Sequence, residues 1–336
     1  MIPFSVLDLS PVVQGGTAAQ SFKNSLDLAQ HAEGWGYKRF WLAEHHSIPG
    51  VASAATSVVI AHVAGGTSTI RVGAGGIMLP NHSPLVIAEQ FGTLESLFPG
   101  RIDLAVGRAP GSDQTTARAL RRAPSAADTF PQDVAELIGF FGEPSSGQLV
   151  HAVPGEGLTV PIWILGSSLF GAQLAAAMGL PFAFASHFAP ALLSQASAIY
   201  RARFTPSEFL DRPHLMLALT VVAADTDDEA HWLFTSLQQT FVNLRRGRPT
   251  QVPPPSRDFE ADLTPFDRLQ LDSVLSHAVV GSPTSVRHAL GDFIARTGAD
   301  ELIVASQMYD HEARLRSYEI VADARRSLEE SAAVRA

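Results

Sequence analysis

Short apolar runs alternate with segments of helical periodicity along most of this chain. The apolar runs predict buried strands, because parallel strands covered on both faces consist almost entirely of apolar residues. Between them, apolar residues recur at the three- and four-residue spacing of an amphipathic helix. The predicted strands cover residues 2–9, 39–43, 70–79, 102–106, 160–165, 181–185, 214–223 and 301–305. This alternation predicts an α/β fold with a parallel sheet.

Eight strand–helix units are the number that closes a (β/α)8 TIM barrel. The other architecture, a doubly wound open sheet, would favour a G-x-G-x-x-G turn after the first strand, and residues 9–16 contain none. Two segments interrupt the rhythm: residues 109–157 after the fourth strand, and the Pro-rich residues 246–272 before the eighth. We therefore predict one barrel domain over residues 1–336 with two insertions. The second insertion is either a cover over an active site or a solvated surface loop.

Composition and charge limit the kinds of molecule that this protein is expected to bind. Hydrophobic residues make up 46% of the chain and charged residues 17%, which is enough apolar material for a large core. A net charge of −9 makes nucleic acid and anionic membranes poor partners. The chain has no cysteine, which excludes thiolate metal sites and a thiol nucleophile. Its start carries no export signal and no apolar run is long enough to span a bilayer, so we expect a cytoplasmic protein.

In a barrel of this kind, functional side chains collect at the carboxyl ends of the strands. Glu44, His45 and His46 follow the second predicted strand, where they fit an acid–base site, a metal site or a hydrogen-bonded strand end. Neighbouring strand residues point to opposite faces, so the two histidines do not easily share an ion, and His46 should point away and matter less. The strand-end position favours a functional role for at least one of the two histidines, because a neutral His can pass protons near pH 7.

A second group of residues fits an anion. Gly166, Ser167 and Ser168 precede a predicted helix, where free N–H groups and hydroxyls can hold a phosphate, although an ordinary Ser N-cap has the same sequence. Arg108 ends the neighbouring fourth strand, where it needs an anionic partner, either a phosphate or a structural carboxylate. The glycines at 73–76 indicate either a bulge or the close approach of a flat molecule.

In this order along the chain, several segments resemble the bacterial luciferase-like flavin monooxygenases, nearer to the general monooxygenases than to the light-emitting luciferase. The matching segments are FWLAEHH (40–46), VGAGGIMLP (72–80), AEQ (88–90), PGRIDLAVGR (99–108), WILGSS (163–168), AAAMGLP (175–181) and GADEL (298–302). The resemblance implies a (β/α)8 barrel in which reduced FMN reacts with O2 to a flavin hydroperoxide that oxygenates a small organic substrate. It also implies that a separate flavin reductase supplies the reduced FMN.

The resemblance also assigns roles to residues. It implies an active-site role for His45, contact with the flavin ring at a bulge formed by Ala74, Gly75 and Gly76, and phosphate contacts from Arg108 and the 166–168 loop. On this basis we predict that His45 and Glu44 are catalytic, without a metal, and that His187 lines a substrate pocket. Three other functions stay open. These are a flavin or deazaflavin oxidoreductase that transfers a hydride, a metal-dependent barrel hydrolase, and a flavin-binding barrel without catalysis.

The helix predicted at residues 53–64 is apolar around most of its girth. An outer helix of a barrel normally keeps one polar face, so this helix needs a cover. The cover is either residues 109–157 or the same helix of a second subunit, and pairing of related barrels favours the second. We therefore expect a homodimer.

Overall fold

A computed structural model describes residues 2–109, 113–122 and 124–333, and in these residues nine strands alternate with helices. The strands β1 to β9 are Phe4–Asp8, Arg39–Leu42, Arg71–Met78, Ile102–Gly107, Ile162–Gly166, Phe182–Phe184, Leu215–Ala223, Val279–Gly281 and Glu301–Ala305. The helices α1 to α11 are Ala18–Gly34, Thr56–Gly65, Pro84–Leu97, Gln114–Ala119, Phe130–Phe141, Leu169–Met178, Leu193–Arg203, Asp227–Arg245, Pro265–Val274, Pro283–Thr297 and His311–Ala333.

Eight of these strands form a closed parallel barrel. Strands β1 to β7 pair in chain order, and β9 closes the ring between β7 and β1. The short β8 is an addition that pairs with the end of β7 at Val221–Ala223. The predicted (β/α)8 barrel is therefore confirmed, with β9 as its eighth strand, while β8 was not predicted because its apolar run is too short to stand out from a loop.

Alternate strand residues build two separate cores. Leu7, Trp41 and Trp163 point into the barrel, whereas residues such as Val6 and Phe40 point outward against the helices. The rings of Trp41 and Trp163 meet edge to face with 5.3 Å between their centres, and fill much of the barrel interior. Both faces of each strand are thus buried, which explains why the strands are almost continuously apolar.

A buried ion-pair network closes the amino-terminal end of the barrel. Arg39 donates to Asp103 at 2.7 Å and to Glu301 at 2.9 Å, and Arg71 donates to the other oxygen of Asp103. Burial alone would raise the pKa of Glu301, but hydrogen bonding from His214 and the charge of Arg39 lower it to about 2. Both tryptophans contact this network: Trp41 Nε1 donates to Asp103 at 3.1 Å, and Arg39 lies over the ring of Trp163. The network lies at the amino ends of the strands, opposite the predicted site residues.

The insertion before the eighth barrel strand is more ordered than predicted. It contains α9, whose first turn is held by a capping box in which Thr264 and Asp267 bond to each other's backbone N–H. The sequence carries this signal, since Thr264 precedes a proline and stands three residues before Asp267. This part of the Pro-rich connection is therefore helical.

The first part of the same insertion lies against the loops after β1 and β2. Val252 is buried, its N–H donates to the Val12 carbonyl at 2.9 Å, and its carbonyl accepts from Gln14 N–H at 2.8 Å. Gly50 lies so close that a methyl group on it would sit 2.7 Å from the Thr250 carbonyl oxygen. Residues 250–252 are therefore fixed onto the carboxyl end of the barrel and do not form a solvated loop.

The helix predicted from residue 53 begins at Thr56, because the Ser53 hydroxyl donates instead to the Ala43 and Leu9 carbonyls. Its buried residues include Val59, Ile60 and Val63, while Val58 is 67% exposed. Among the described helices, none has the length and apolarity needed to cross a membrane.

Candidate active site

The barrel gathers the predicted site residues at one end. Glu44 and His45 follow β2, Arg108 follows β4, residues 166–168 end β5, and His187 follows β6. Strands β4 and β5 are paired with Gly107 opposite Leu165, so Arg108 lies beside the 166–168 loop as predicted. The order of strands around the barrel thus produces the arrangement on which the sequence argument depended.

Strand β3 contains the bulge that the resemblance implied. The Gly75–Gly76 peptide is cis, and the register with β4 shifts between Gly75 and Ile77. A methyl group on Gly75 would lie 2.9 Å from Leu7, and one on Gly76 would lie 2.5 Å from the Ala105 carbonyl oxygen. These two glycines are therefore required by the packing of the strands themselves. The Ala74 side chain is buried in the outer core, so this residue can meet a ligand only through its backbone.

Glu44 is a buried carboxylate at this end of the barrel that accepts several hydrogen bonds. It is 1% exposed, and its Oε1 accepts from His46 Nε2 at 2.7 Å and from His82 Nε2 at 2.9 Å. Asn81 Nδ2 also donates to Oε1 at 3.2 Å, and the Met78 N–H donates to Oε2 at 2.9 Å. Burial favours the neutral form, but these hydrogen bonds and the charge of His82 outweigh it and lower the pKa of Glu44.

The ring of His46 lies against Glu44 within the same cluster. Residues 44 and 46 are two positions apart, so alternation along an extended chain places them on one face, and the expectation that His46 points away from His45 stays a prediction. His82 and Asn81 were not predicted as site residues. No sequence spacing connects position 44 with position 82; only the pairing of β2 with β3 brings them together.

His187 lies close to His45 and is electrostatically coupled to it. Its Nδ1 atom is buried and has no hydrogen-bond partner among the described residues. Burial, with a smaller contribution from the charge of His45, lowers the pKa of His187 from 6.5 to about 4. The imidazole is therefore neutral at pH 7, and its Nδ1 can bond to a ligand.

The start of α6 and Arg108 form an electropositive corner. The Arg108 guanidinium lies over the ring of Phe170, in the first turn of α6, with 4.1 Å from its central carbon to the ring centre. Arg108 is exposed, and within the described part of the chain it has no carboxylate partner. Ser168 occupies the N-cap position of α6, but its side chain makes no capping hydrogen bond. The first N–H groups of α6 and the guanidinium together suit a phosphate.

These features fit a cofactor that carries a phosphate group. The uncapped start of α6 and Arg108 match its phosphate, and the unpaired buried Nδ1 of His187 offers a hydrogen bond to a polar group in the barrel mouth. Within the described residues, no group of three or more His, Asp or Glu side chains is arranged to hold a metal ion.

Comparisons with known proteins agree with this geometry. Residues 2–301 match the model of the luciferase-like monooxygenase family. A luciferase-like monooxygenase of Escherichia coli strain K12 is 52% identical, covering 97% of this chain and 98% of that protein. The N-acetyl-S-alkylcysteine monooxygenase of Bacillus subtilis strain 168 is 35% identical, covering 75% of this chain and 77% of that protein.

Solved structures show the same architecture. The crystal structure of apo-MsnO8 superposes with a TM-score of 0.89 at 36% identity, covering 96% of this chain and 98% of that one. The oxygenating constituent of 3,6-diketocamphane monooxygenase from Pseudomonas putida, in complex with FMN, has a TM-score of 0.71 at 20% identity, covering 96% and 97%. An F420-dependent secondary alcohol dehydrogenase has a TM-score of 0.69 at 14% identity, covering 96% and 98%. At such low identity, the last two show the fold alone.

The family match covers most of the chain, and the two relatives exceed 30% identity over three quarters or more of its length. The chain belongs to the luciferase-like monooxygenase family of flavin-dependent enzymes.

Proposed function

We propose that this protein is an FMN-dependent monooxygenase, which uses reduced FMN and O2 to oxygenate a small organic substrate. The observation that carries the proposal is the corner formed by Arg108 and the first turn of α6, at the ends of two adjacent barrel strands. The name of the B. subtilis relative describes a monooxygenase of N-acetyl-S-alkylcysteine, and FMN is bound in the P. putida structure of the same fold.

The phosphate would bind at this corner. The Arg108 guanidinium supplies a fixed positive charge, and Gly166, Ser167 and Ser168 supply N–H and hydroxyl donors at the positive end of the α6 dipole. The flavin ring would then lie across the barrel mouth toward β3. There the Gly75–Gly76 bulge and the backbone of Ala74 would support it.

Reduced FMN, when bound, supplies the two electrons that let one atom of O2 enter the substrate while the other leaves as water. His45 lies at the barrel mouth, where it can hold or move a proton at an imidazole nitrogen near the reacting groups. His187 stays neutral beside it and is placed to hydrogen-bond the substrate. Residues 250–252, fixed over the barrel end, help to exclude water.

Reduced FMN would come from a separate flavin reductase, since the first βα turn has no nicotinamide-binding glycine pattern. Substrate, O2 and the reductase are therefore the partners that the proposal needs. Transient transfer of a diffusible flavin is consistent with an exposed Arg108.

The exposed face of α2 supports the proposal that two copies pair. Val58 on α2 is 67% exposed, and Leu97 on the neighbouring α3 is 62% exposed. The described part of the 109–157 insertion leaves Val58 open, so a second subunit is the proposed cover.

Two measurements test the proposed activity. The first is titration of the protein with oxidised and with photoreduced FMN, in which we expect saturable binding. The second is a single turnover with reduced FMN and 18O2 in the presence of thioether substrates, beginning with N-acetyl-S-alkylcysteines, in which one 18O atom should enter the product. A protein that binds no FMN, or that transfers a hydride from a deazaflavin without using O2, would contradict the proposal.

A further inference from the structure

The Glu44 carboxylate joins two loops that lie far apart in the sequence. One is the segment after β2, which contains Glu44 and His46; the other is the end of β3 and the turn after it, which contain Met78 and His82. The contacts are 2.7 Å from His46 Nε2, 2.9 Å from His82 Nε2 and 2.9 Å from the Met78 N–H. We call Glu44, His46 and His82 the Glu44 clamp.

His45 stands between two members of this clamp. The side chains of Glu44 and His46 are bonded to each other, and the Glu44 N–H donates to the Gly76 carbonyl at 3.4 Å. The backbone of Glu44 is therefore tied to the β3 bulge, and the ring of His46 is tied to the Glu44 carboxylate. His45 lies in a segment whose two flanking residues are both held by hydrogen bonds.

Charge explains why the clamp needs a carboxylate at its centre. Glu44 receives N–H donors from four residues and has a side chain that is 1% exposed, so it must accept at both oxygens. An ionised carboxylate only accepts hydrogen bonds. In an isosteric amide, an NH2 group replaces one oxygen, and this group would oppose N–H donors that the oxygen had accepted from. A Gln at this position would keep the volume and weaken the clamp.

We propose that Glu44 is a positioning residue, which acts through His46 and His82 to hold His45 and the β3 bulge in place and does not itself react. This inference rests on the proposed function for the role of His45. It assigns a function to His82, whose sequence position carries no motif, and it gives Glu44 a different role from direct acid–base catalysis. Its buried position supports this role, because a carboxylate enclosed by four donors has no free oxygen to offer a substrate.

The first test examines the clamp in the protein without flavin. Long-range 1H–15N NMR of histidine rings reports which nitrogen carries the proton. We expect His46 and His82 to carry the proton at Nε2, with N–H signals that exchange slowly with solvent. In Glu44→Gln these N–H groups lose their acceptor, so their exchange should become at least about tenfold faster. Rings that are already in fast exchange in the unsubstituted protein would overturn the clamp itself.

The second test measures how loss of the clamp changes the rate at which O2 oxidises the bound reduced flavin. In Glu44→Gln and His82→Leu, the rate at which O2 reoxidises protein-bound reduced FMN should change in the same direction as in His45→Ala, by about tenfold to a hundredfold. The FMN dissociation constant should rise by less than Arg108→Ala raises it, since the phosphate corner is untouched. His82→Gln retains an N–H donor near the Nε2 position and should restore most of the rate.

Glu95→Gln is the matched control. Glu95 is also a buried carboxylate, 8% exposed, and it accepts a backbone N–H from Gly100 at 2.6 Å, but at the other end of the barrel. We expect this variant to lower the melting temperature without changing the reoxidation rate. The proposal fails if Glu44→Gln and His82→Leu behave like Glu95→Gln, or if His82→Gln rescues nothing. If the unsubstituted protein binds no FMN, the proposed function fails, while the NMR result still decides whether the clamp exists.

Discussion

The guanidinium of Arg108 stacks on the ring of Phe170, 4.1 Å from its centre. Phe170 belongs to the first turn of α6, so the stacking brings a positive charge to a helix start that already carries a positive partial charge. An anion bound here would be attracted both by the guanidinium charge and by the dipole of α6. A planar cation on an aromatic face keeps its outer N–H groups free to donate, which suits it to a phosphate.

Substitution of Arg108 should weaken FMN binding. We expect Arg108→Ala to cost about 1.5–3 kcal/mol of binding free energy, the contribution of a hydrogen bond to a charged group. The measurement is a fluorescence titration with FMN and, in parallel, with riboflavin, which lacks the phosphate and should lose little. Arg296→Ala is the matched control, because Arg296 also lies near a phenylalanine ring, Phe293, but on α10. Equal losses for FMN and riboflavin would remove Arg108 from the phosphate site.

Loss of the His45 ring should uncouple the reaction. We expect His45→Ala to keep the fold and FMN affinity, and to consume O2 while releasing hydrogen peroxide in place of oxygenated product. The decrease in product formation should be about 10²–10⁴-fold, the usual contribution of a general acid–base group. Peroxide and product are quantified in the same reaction, with His151→Ala, an exposed histidine on a loop, as control. A variant that simply unfolds, or that keeps full coupling, would show that His45 has no such role.

Burial of His187 should make stability depend on pH. Because its pKa falls from 6.5 to about 4 on folding, the unfolded chain binds a proton over this range and the folded chain does not. The free energy of unfolding should therefore rise as pH increases from 4 to 6.5. In His187→Gln this contribution disappears, so the slope should become shallower. Urea unfolding at several pH values measures the difference, and parallel slopes for both proteins would contradict the assignment.

The ion-pair network at the amino-terminal end should support stability and leave chemistry unaffected. Glu301→Gln removes one of the two buried carboxylates that pair with Arg39 and leaves only Asp103, which should cost about 3 kcal/mol of unfolding free energy. The pKa of Glu301 is lowered from 4.5 to about 2, so its contribution is present above pH 4.5 and is lost as pH falls toward 2. Denaturant titrations test both statements. At temperatures where the variant is folded, a change in FMN affinity would show that the two barrel ends are coupled.

The proposed dimer predicts a mass near twice the 35.8 kDa of one chain in light scattering at micromolar concentration. Val58→Glu should reduce it to the mass of one chain, because a charge in an apolar interface is costly to bury. Leu269→Glu is the matched control, since Leu269 is 68% exposed and Val58 is 67% exposed, but Leu269 lies on α9. A single-chain mass for the unsubstituted protein would refute the pairing.

The sequence by itself determined the barrel. Continuously apolar strands, helices with one apolar face, and turns at regular intervals are local properties, and eight such units leave few ways to pair. The same local order placed Arg108 beside residues 166–168, because consecutive parallel strands are neighbours. Predictions of this kind depend only on periodicity and on adjacency along the chain.

Only the tertiary structure decided what each polar side chain contacts. The sequence could not connect Glu44 with His82, because only the pairing of β2 with β3 brings the two loops that follow these strands together. It also could not tell whether residues 250–252 are solvated, since that depends on hydrogen bonds to Val12 and Gln14, more than two hundred residues earlier. Hydrogen bonds between distant loops depend on distances that the packed barrel sets, and no local pattern encodes them.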